Sequence, residues 1–152
     1  MNVIFLDIDG VLNSEVWSQR MYDTEQYEEM KTMIDSEAVK KVINLCTEMD
    51  LKIVVSSSWR SWNVKDTINQ MSENKNLAPL CPFIIGVTPG SMSCKRGEEI
   101  QKYMYLTKID KYVIFDDDTD MLDEQQPNFV HTNYFYGLTD DDVEKAREIL
   151  HR

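Results

Sequence analysis

Short apolar stretches alternate with helical patterns along this chain, which leaves few folds open to it. Four stretches rich in β-branched or aromatic residues, and a shorter fifth, are typical of buried strands: Asn2–Leu6, Leu51–Val55, Phe83–Gly86, Tyr112–Phe115 and Phe129–His131. Strands that alternate with helices favour a mainly parallel central sheet covered on both faces. We therefore expect an α/β fold, a Rossmann-like three-layer sandwich, with ligands bound at the carboxyl ends of its strands.

The helical patterns lie between these stretches. The clearest begins with Asp35 or Ser36 as N-cap and places five apolar residues on one face: Val39, Val42, Ile43, Cys46 and Met49. Further helices are predicted over residues 64–72 and 96–105. A last helix follows Thr139, and Asp142, three residues on, completes an approximate capping box.

Length and composition define the broad class of protein. A chain of 152 residues fits one domain, so we expect a single domain over residues 1–152. Its 16 Lys and Arg against 27 Asp and Glu give a net charge of −11, which argues against strong autonomous binding of nucleic acid, since such binding needs clustered cations. The three cysteines lack the pattern of a disulfide scaffold or a zinc site. With no apolar run of membrane-spanning length and no cationic leader, the sequence predicts a cytoplasmic protein without membrane contact.

One segment, residues 13–34, is longer than a connection from strand to helix needs. It carries aromatic residues and methionines among many charges. A small cap or flap over the site and an extra surface helix are both consistent with this composition. A large cap domain would require many more residues, so we expect an open site.

Acidic and hydroxyl side chains follow the predicted strands. Asp7 and Asp9 follow the first strand, Ser56 follows the second, and the acidic run 116–118 follows the fourth, whereas the strand at 83–86 has no such residue. Because the carboxyl ends of parallel strands meet at one edge of a sheet, these carboxylates should converge, which is unfavourable without a compensating cation or proton. Oxygen-only ligands with room for water suit Mg²⁺.

The spacing of the first two acids fits phosphoryl transfer. Alternation in an extended chain sends Asp7 and Asp9 to the same side, and Gly10 allows the sharp turn that follows. An aspartate can accept a phosphoryl group when it is positioned in line and the oxygen charge is neutralised. The competing interpretations are a solvated acidic loop for this pair and a helix N-cap cluster for the run at 116–118.

The motifs resemble those of a known superfamily. The string DIDGVLN resembles the DxDGxL/T signature of the haloacid dehalogenase (HAD) superfamily of phosphohydrolases, IVVSSSWR its second motif and YVIFDDDTD its acidic fourth motif. More narrowly, SSSWR, IIGVTP, RGEEI, YVIFDDDTDM and the late GLT are similar to the HAD domain of multidomain "Swiss army knife" RNA-repair proteins. The phosphatase half of phage polynucleotide kinase-phosphatase is a more distant likeness.

The resemblance implies a division of roles among the catalytic residues. Asp7 would be the nucleophile, and Asp9 the general acid that protonates the leaving oxygen and then activates water. Ser56 would hydrogen-bond the transferring phosphoryl group, a role that Ser57 could also fill. Ser57 and Gly10 are further candidates for substrate binding.

The same resemblance implies a metal site and a nearby cation. The ligands of Mg²⁺ would be Asp7, the backbone carbonyl of Asp9 and Asp116, with Asp117 or Asp120 assisting. The superfamily pattern favours Lys95 as the cation beside the nucleophile, whereas the narrower RGEEI pattern favours Arg96.

The last two residues of the string IVVSSSWR are candidates for contact with a substrate. Trp59 could stack on a substrate or pack at the sheet edge, and Arg60 could clamp a phosphate through two hydrogen bonds.

The predicted function is that of a Mg²⁺-dependent phosphate monoester hydrolase acting through an aspartyl-phosphate on Asp7. The RNA-repair likeness points to a phosphorylated nucleic-acid end as substrate, and a nucleotide or sugar phosphate is the alternative. A receiver-like module that keeps its phosphoryl group is a second class of function. Asp9 argues against that class, because it supplies the acid-base step that a long-lived acyl-phosphate must lack.

Overall fold

The computed structural model describes residues 1–152 and contains one five-stranded sheet, with all strands parallel and ordered β3-β2-β1-β4-β5. The strands are β1 (Asn2–Leu6), β2 (Leu51–Val55), β3 (Ile84–Val87), β4 (Lys111–Asp116) and β5 (Phe129–His131). The helices are α1 (Glu15–Asp23), α2 (Tyr27–Lys31), α3 (Ser36–Met49), α4 (Val64–Ser72), α5 (Arg96–Leu106) and α6 (Asp140–His151). Two 3-10 helices, Ala78–Phe83 and Asp123–Asn128, precede β3 and β5. This arrangement confirms the predicted Rossmann-like α/β fold.

The central strand β1 explains why the first apolar run has no polar residue between Val3 and Leu6. Ile4 and Leu6 pack into the larger core with α3 and α6, whereas Val3 and Phe5 pack into a smaller core beneath α5. Side chains of a strand alternate between the two faces of a sheet, so a strand covered on both faces must be apolar throughout. β1 therefore lies in the middle layer of three.

Local capping fixes where the two helices of the larger layer begin. Asp35 is the N-cap of α3, and its carboxylate accepts a hydrogen bond from the Glu37 amide at 2.9 Å. Thr139 and Asp142 form a reciprocal capping box at the start of α6. Both starts were predicted from sequence, because a cap is a local interaction between residues two or three positions apart.

The third strand begins one residue later than the sequence predicted. Phe83 closes a 3-10 helix, and β3 runs from Ile84 to Val87. The first residue after this strand is therefore Thr88, a buried hydroxyl. The expectation that this strand alone ends without a polar side chain was wrong.

Residues 13–34 form α1 and α2 and the turns around them. Ser14 is the N-cap of α1, and its Oγ accepts a hydrogen bond from the Trp17 amide at 3.1 Å. Trp17 and Met21 are buried, whereas α2 buries no residue. None of the helices in the chain combines the length and apolar character needed to cross a lipid bilayer.

Candidate active site

The sheet ladder continues one residue beyond several strands and so fixes the backbone of the candidate site. Three backbone hydrogen bonds extend the ladder: Asp7 N to Phe115 O at 3.0 Å, Ser56 N to Leu6 O at 2.9 Å and Thr88 N to Val55 O at 3.0 Å. Because these three strands are adjacent, the residues that follow them lie side by side along one edge of the sheet.

Three carboxylates meet at this edge. Asp7 is 7% exposed and Asp116 is 1% exposed, and Asp117 is partly buried. One oxygen of each lies within 4.8 Å of the others. The convergence predicted from the strand ends is therefore present for these three acids.

The surroundings make full ionisation of this cluster unfavourable. Burial raises the pKa of Asp7 to about 6, against the lowering effect of the Ile8 amide and Arg96. Burial, together with the charge of Asp7, raises the pKa of Asp116 to about 8. Burial also raises the pKa of Asp117. The three groups would hold their full charge only beside an additional cation.

The donors of the cluster fit a hard divalent cation. Asp116 Oδ1 accepts a hydrogen bond from the Asp118 amide at 2.9 Å, whereas Asp116 Oδ2 is buried and accepts none. Arg96 Nε lies 3.3 Å from Oδ2 without the alignment of a hydrogen bond. A buried carboxylate oxygen with an open acceptor site, beside two further carboxylates, matches the oxygen ligands that Mg²⁺ prefers.

The structure gives Asp120 a different position from Asp117. Asp120 Oδ2 accepts a hydrogen bond from the Arg96 amide at 2.8 Å, and the Asp120 carbonyl accepts one from the Gly97 amide at 3.3 Å. Asp120 therefore caps the start of α5 and does not belong to the group of three close acids. This geometry favours Asp117 as the assisting ligand.

Gly10 permits the approach of Asp117. Its φ is +79°, and a Cβ built at this position would lie 2.3 Å from Asp117 Oδ2. The Gly10 carbonyl also accepts a hydrogen bond from the Thr132 hydroxyl at 2.9 Å. Only glycine meets both the left-handed backbone and the close contact without strain.

Asp9 is not one of the three clustered acids, and two side chains hold it. Its Oδ2 accepts a hydrogen bond from Trp59 Nε1 at 3.0 Å, and its Oδ1 accepts one from Asn13 Nδ2 at 2.9 Å. Asn13 Oδ1 in turn accepts a hydrogen bond from the Gly10 amide at 2.8 Å. Trp59 thus orients an acid of the site, a role that sequence reasoning did not consider.

The two adjacent cations of the sequence differ sharply in place. Arg96 Nη2 lies 3.9 Å from Asp7 Oδ1, and the same guanidinium contacts Asp116. Lys95 is exposed and takes part in no ion pair. The structure therefore brings Arg96, and not Lys95, to the acids.

Glu99 is a residue of the site that sequence reasoning missed. It is 5% exposed, and its two oxygens lie 3.2 Å from Arg96 Nη1 and 3.0 Å from Arg60 Nη2. Arg60 Nη1 also donates a hydrogen bond to the Ser57 carbonyl at 2.9 Å. The signal in the sequence is the spacing of Arg96 and Glu99, because residues three apart on a helix face each other.

Two buried hydroxyls at the strand ends have no hydrogen-bond partner. They are Ser56 Oγ and Thr88 Oγ1, and the neighbouring Ser57 is also buried. Ser57 and Thr88 line a cleft of about 870 Å³ together with Arg60 and Arg96. Buried polar atoms are nearly always paired in folded proteins, so both hydroxyls have an open hydrogen-bonding position, and that of Thr88 lies in the wall of the cleft.

Comparison with known proteins identifies the family of the chain. No curated protein and no solved structure matches it. A family model described as "HAD domain in Swiss Army Knife RNA repair proteins" matches residues 3–143. The chain therefore belongs to this family of HAD domains, which confirms the resemblance of its motifs.

Proposed function

We propose that this protein is a Mg²⁺-dependent phosphate monoester hydrolase that acts through an aspartyl-phosphate on Asp7. The observation that carries this proposal is the buried Asp7 carboxylate, grouped with two further acids and contacted by Arg96. Membership of the HAD family supports a phosphatase-like activity. The residues proposed to hold the metal are Asp7, Asp116 and Asp117, with the backbone carbonyl of Asp9. When bound, Mg²⁺ neutralises negative charge on the carboxylates and on the phosphoryl oxygens.

Asp7 is suited to attack phosphorus at neutral pH. Its pKa of about 6 leaves the carboxylate mostly ionised at pH 7, and the Arg96 guanidinium favours that ionised form. In the first step an Asp7 oxygen forms a bond to phosphorus and the bond from phosphorus to the ester oxygen breaks. The proposed donors to the transferring group are the unpartnered Ser56 hydroxyl and Arg96. The nearby residues Ser57, Thr88 and Arg60 extend this set along the cleft.

Asp9 is proposed to move the proton in both steps. As an acid it donates its proton to the leaving oxygen, and as a base it then takes a proton from water. That water attacks the phosphorus of the aspartyl-phosphate, which releases inorganic phosphate and regenerates the Asp7 carboxylate. The hydrogen bonds from Trp59 and Asn13 fix the direction of the Asp9 carboxylate and so support this role.

An aryl phosphate assay with and without Mg²⁺ tests the mechanism. We expect Asp7→Asn to abolish turnover and Asp9→Asn to reduce it strongly. Asp118→Asn is the matched control, because Asp118 is an exposed acid next to the cluster. Full activity of Asp7→Asn would refute the mechanism.

A second comparison assigns the cation. Arg96 contacts two of the acids whereas Lys95 is exposed, so Arg96→Ala should cause a severe loss of kcat/KM and Lys95→Ala a mild one. Two mild losses would mean that neither residue is the required cation.

The substrate class is proposed from the family and from the open site. A phosphorylated nucleic-acid end is favoured by the RNA-repair context of the family, and a nucleotide or sugar phosphate is the alternative. Rates should be compared on 3′- and 5′-phosphorylated oligonucleotides, nucleotides, sugar phosphates and phosphopeptides. Equally poor rates on all oligonucleotides would reject the nucleic-acid assignment.

A receiver-like module is the rival function. Such a module would accumulate a long-lived phosphoryl group on Asp7, whereas a hydrolase holding Asp9 in place should turn it over. To distinguish the two functions, the protein is incubated with a radiolabelled acyl phosphate and quenched with acid, and the label on the protein and the released phosphate are measured. Stable labelling without phosphate release would favour the receiver-like module.

A further inference from the structure

We propose that a groove beside Asp9 binds the nucleoside that bears the ester oxygen of the substrate, with its base packed against Met33 and Tyr134. This inference rests on the proposed function, because it uses Asp9 as the proton donor to the leaving oxygen. Nucleoside is the shared chemistry of two sources, a free nucleotide and the terminal nucleotide of a strand.

The site opens into two clefts of different character. The larger, of about 870 Å³, is lined by Arg60 and Arg96. The second, of about 510 Å³, has Asp9 in its wall together with apolar side chains that include Trp17, Met33 and Tyr134. When the phosphoryl group is held at Asp7 and Arg96, its ester oxygen must lie next to Asp9, because Asp9 is the proposed proton donor to that oxygen. The rest of the substrate therefore extends into the second cleft, which we call the Asp9 groove.

The Asp9 groove has no cation that could hold a second phosphate. Asp9 is the one charged residue in its wall. An adjoining cavity of about 440 Å³ shares Met30 and Tyr134 with it and adds Glu15. Neither cavity is lined by Lys or Arg, so a second phosphate there would face carboxylates without a counter-ion. An uncharged group fits this wall.

The apolar surface of the groove is exposed and held in place. Met33 is 57% exposed and Tyr134 is 55% exposed. Met33 has a φ of +59°, which is strained for a residue other than glycine, and its carbonyl accepts a hydrogen bond from Asn13 Nδ2 at 2.9 Å. The same Asn13 amide donates to Asp9, so one side chain ties Met33 to the acid. Strain that the surroundings maintain is typical of functional sites.

Backbone hydrogen bonds join the two walls of the groove. The Tyr134 carbonyl accepts a hydrogen bond from the Glu15 amide at 3.3 Å, and the Phe135 carbonyl accepts one from the Val16 amide at 3.0 Å. The loop after β5 is thereby attached to the first turn of α1. A thioether and a phenol ring facing a fixed groove provide the surface on which aromatic bases pack.

The room beyond Asp9 favours a nucleoside over a tyrosyl leaving group. In a nucleotide the sugar separates the ester oxygen from the base, so the ring lies beyond Asp9. In phosphotyrosine the ring carries the ester oxygen directly and would occupy only the part next to Asp9. The two cavities share Met30 and Tyr134 and therefore adjoin, which leaves room beyond Asp9 for the longer group.

The test compares nucleotides with a sugar phosphate that lacks the base. Adenosine monophosphates with the phosphate at the 3′ or 5′ position are compared with ribose 5-phosphate, and phosphotyrosine is the aryl control. For one of the adenosine monophosphates we expect the base to raise kcat/KM roughly 10-fold, the size of one stacking contact. Met33→Gly and Tyr134→Ala should each remove that advantage, so that kcat/KM on the adenosine monophosphate falls to that of the same variant on ribose 5-phosphate. Glycine accepts the backbone of position 33, so Met33→Gly should fold well.

Tyr105→Ala is the control for loss of an exposed aromatic residue elsewhere. Three results would overturn the inference. They are the absence of any rise in kcat/KM from the base, a rise that persists in both groove variants, and a preference for phosphotyrosine as the substrate. If ribose 5-phosphate and aryl phosphates are not hydrolysed either, the proposed function itself fails and the inference falls with it. An oligonucleotide faster than the mononucleotide identifies a strand end as the source, and the reverse order identifies a free nucleotide.

A binding measurement gives a readout that does not depend on turnover. Adenosine is titrated into the metal-free protein, and the methionine methyl signals are followed by NMR. The Met33 signal, identified by its loss in Met33→Gly, should shift upfield on binding, whereas the signal of exposed Met92 should stay in place. An unchanged Met33 signal would contradict the placement of the base.

Discussion

The acids of the site should make the metal-free protein less stable as the pH rises from 5 to 7. Asp7 and Asp116 have pKa values raised to about 6 and about 8. A carboxyl whose pKa is higher in the folded than in the unfolded state binds more protons when folded. Its contribution is greatest below the unfolded pKa and is lost as the pH rises through the folded pKa.

The size of the loss follows from these shifts. In the unfolded chain both pKa values return to 3.8, so both unfolded carboxyls are ionised across this window while Asp116 stays protonated in the fold. At about 1.4 kcal/mol per pH unit, Asp116 accounts for a loss of roughly 3 kcal/mol between pH 5 and pH 7. Asp7, which ionises near pH 6, adds roughly 1 kcal/mol.

Asp116→Asn should remove the larger part of this loss. The amide keeps the Oδ1 acceptor for the Asp118 amide and cannot ionise. Urea unfolding in EDTA at pH 5 and pH 7 measures the free energy of unfolding for wild type, Asp116→Asn and the control Asp118→Asn. We expect a fall of roughly 4 kcal/mol in wild type and in the control, and of roughly 1 kcal/mol in Asp116→Asn. Saturating Mg²⁺ should reduce the fall in wild type, since the cation favours the ionised acids. An equal fall in wild type and Asp116→Asn would refute the reasoning.

Three further substitutions test individual contacts. Gly10→Ala places a methyl group 2.3 Å from Asp117 Oδ2 at a φ of +79°, so it should lower the free energy of unfolding by about 1–2 kcal/mol or more. It should also weaken Mg²⁺ binding in calorimetry, and an unchanged Mg²⁺ affinity would contradict this. Glu99→Gln removes the shared counter-ion of Arg60 and Arg96, so we expect at least a roughly 10-fold loss of kcat/KM on an aryl phosphate. Glu98→Gln is the nearly neutral control, and equal losses in the two variants would reject a role of Glu99 in the site. Thr88→Val replaces an unpartnered hydroxyl, so thermal unfolding should show equal or higher stability, and a clear loss would reveal a partner for that hydroxyl.

The fold was predictable because its signals are local. Apolar runs bounded by acids identify β1 and β4, and the caps at Asp35 and Thr139 mark the starts of two helices. The start of β3 was misplaced by one residue, because an apolar run next to proline does not distinguish a strand from a 3-10 helix. That single shift concealed Thr88 from sequence reasoning.

The site was predictable only where the sheet itself assembles it. The acids meet because parallel strands end at one edge, which the sequence already indicates. The choice between Lys95 and Arg96 depends on where α5 begins and how it packs, since Arg96 is its first residue whereas Lys95 is its extended N-cap. The pairing of Glu99 with Arg60 joins segments distant in the chain, and no spacing in the sequence predicts it.

The backbone amides of Asp7 and Ser56 belong to the sheet ladder, and this has a consequence for motion. Their exchange with solvent deuterium should require separation of β1 from its neighbours, which is close to global unfolding. Substrates of different shape must therefore be accommodated by residues 13–34 and 88–95, on either side of an immobile row of strand ends. A relative of this fold could change its choice of substrate in those two segments and retain the same reaction.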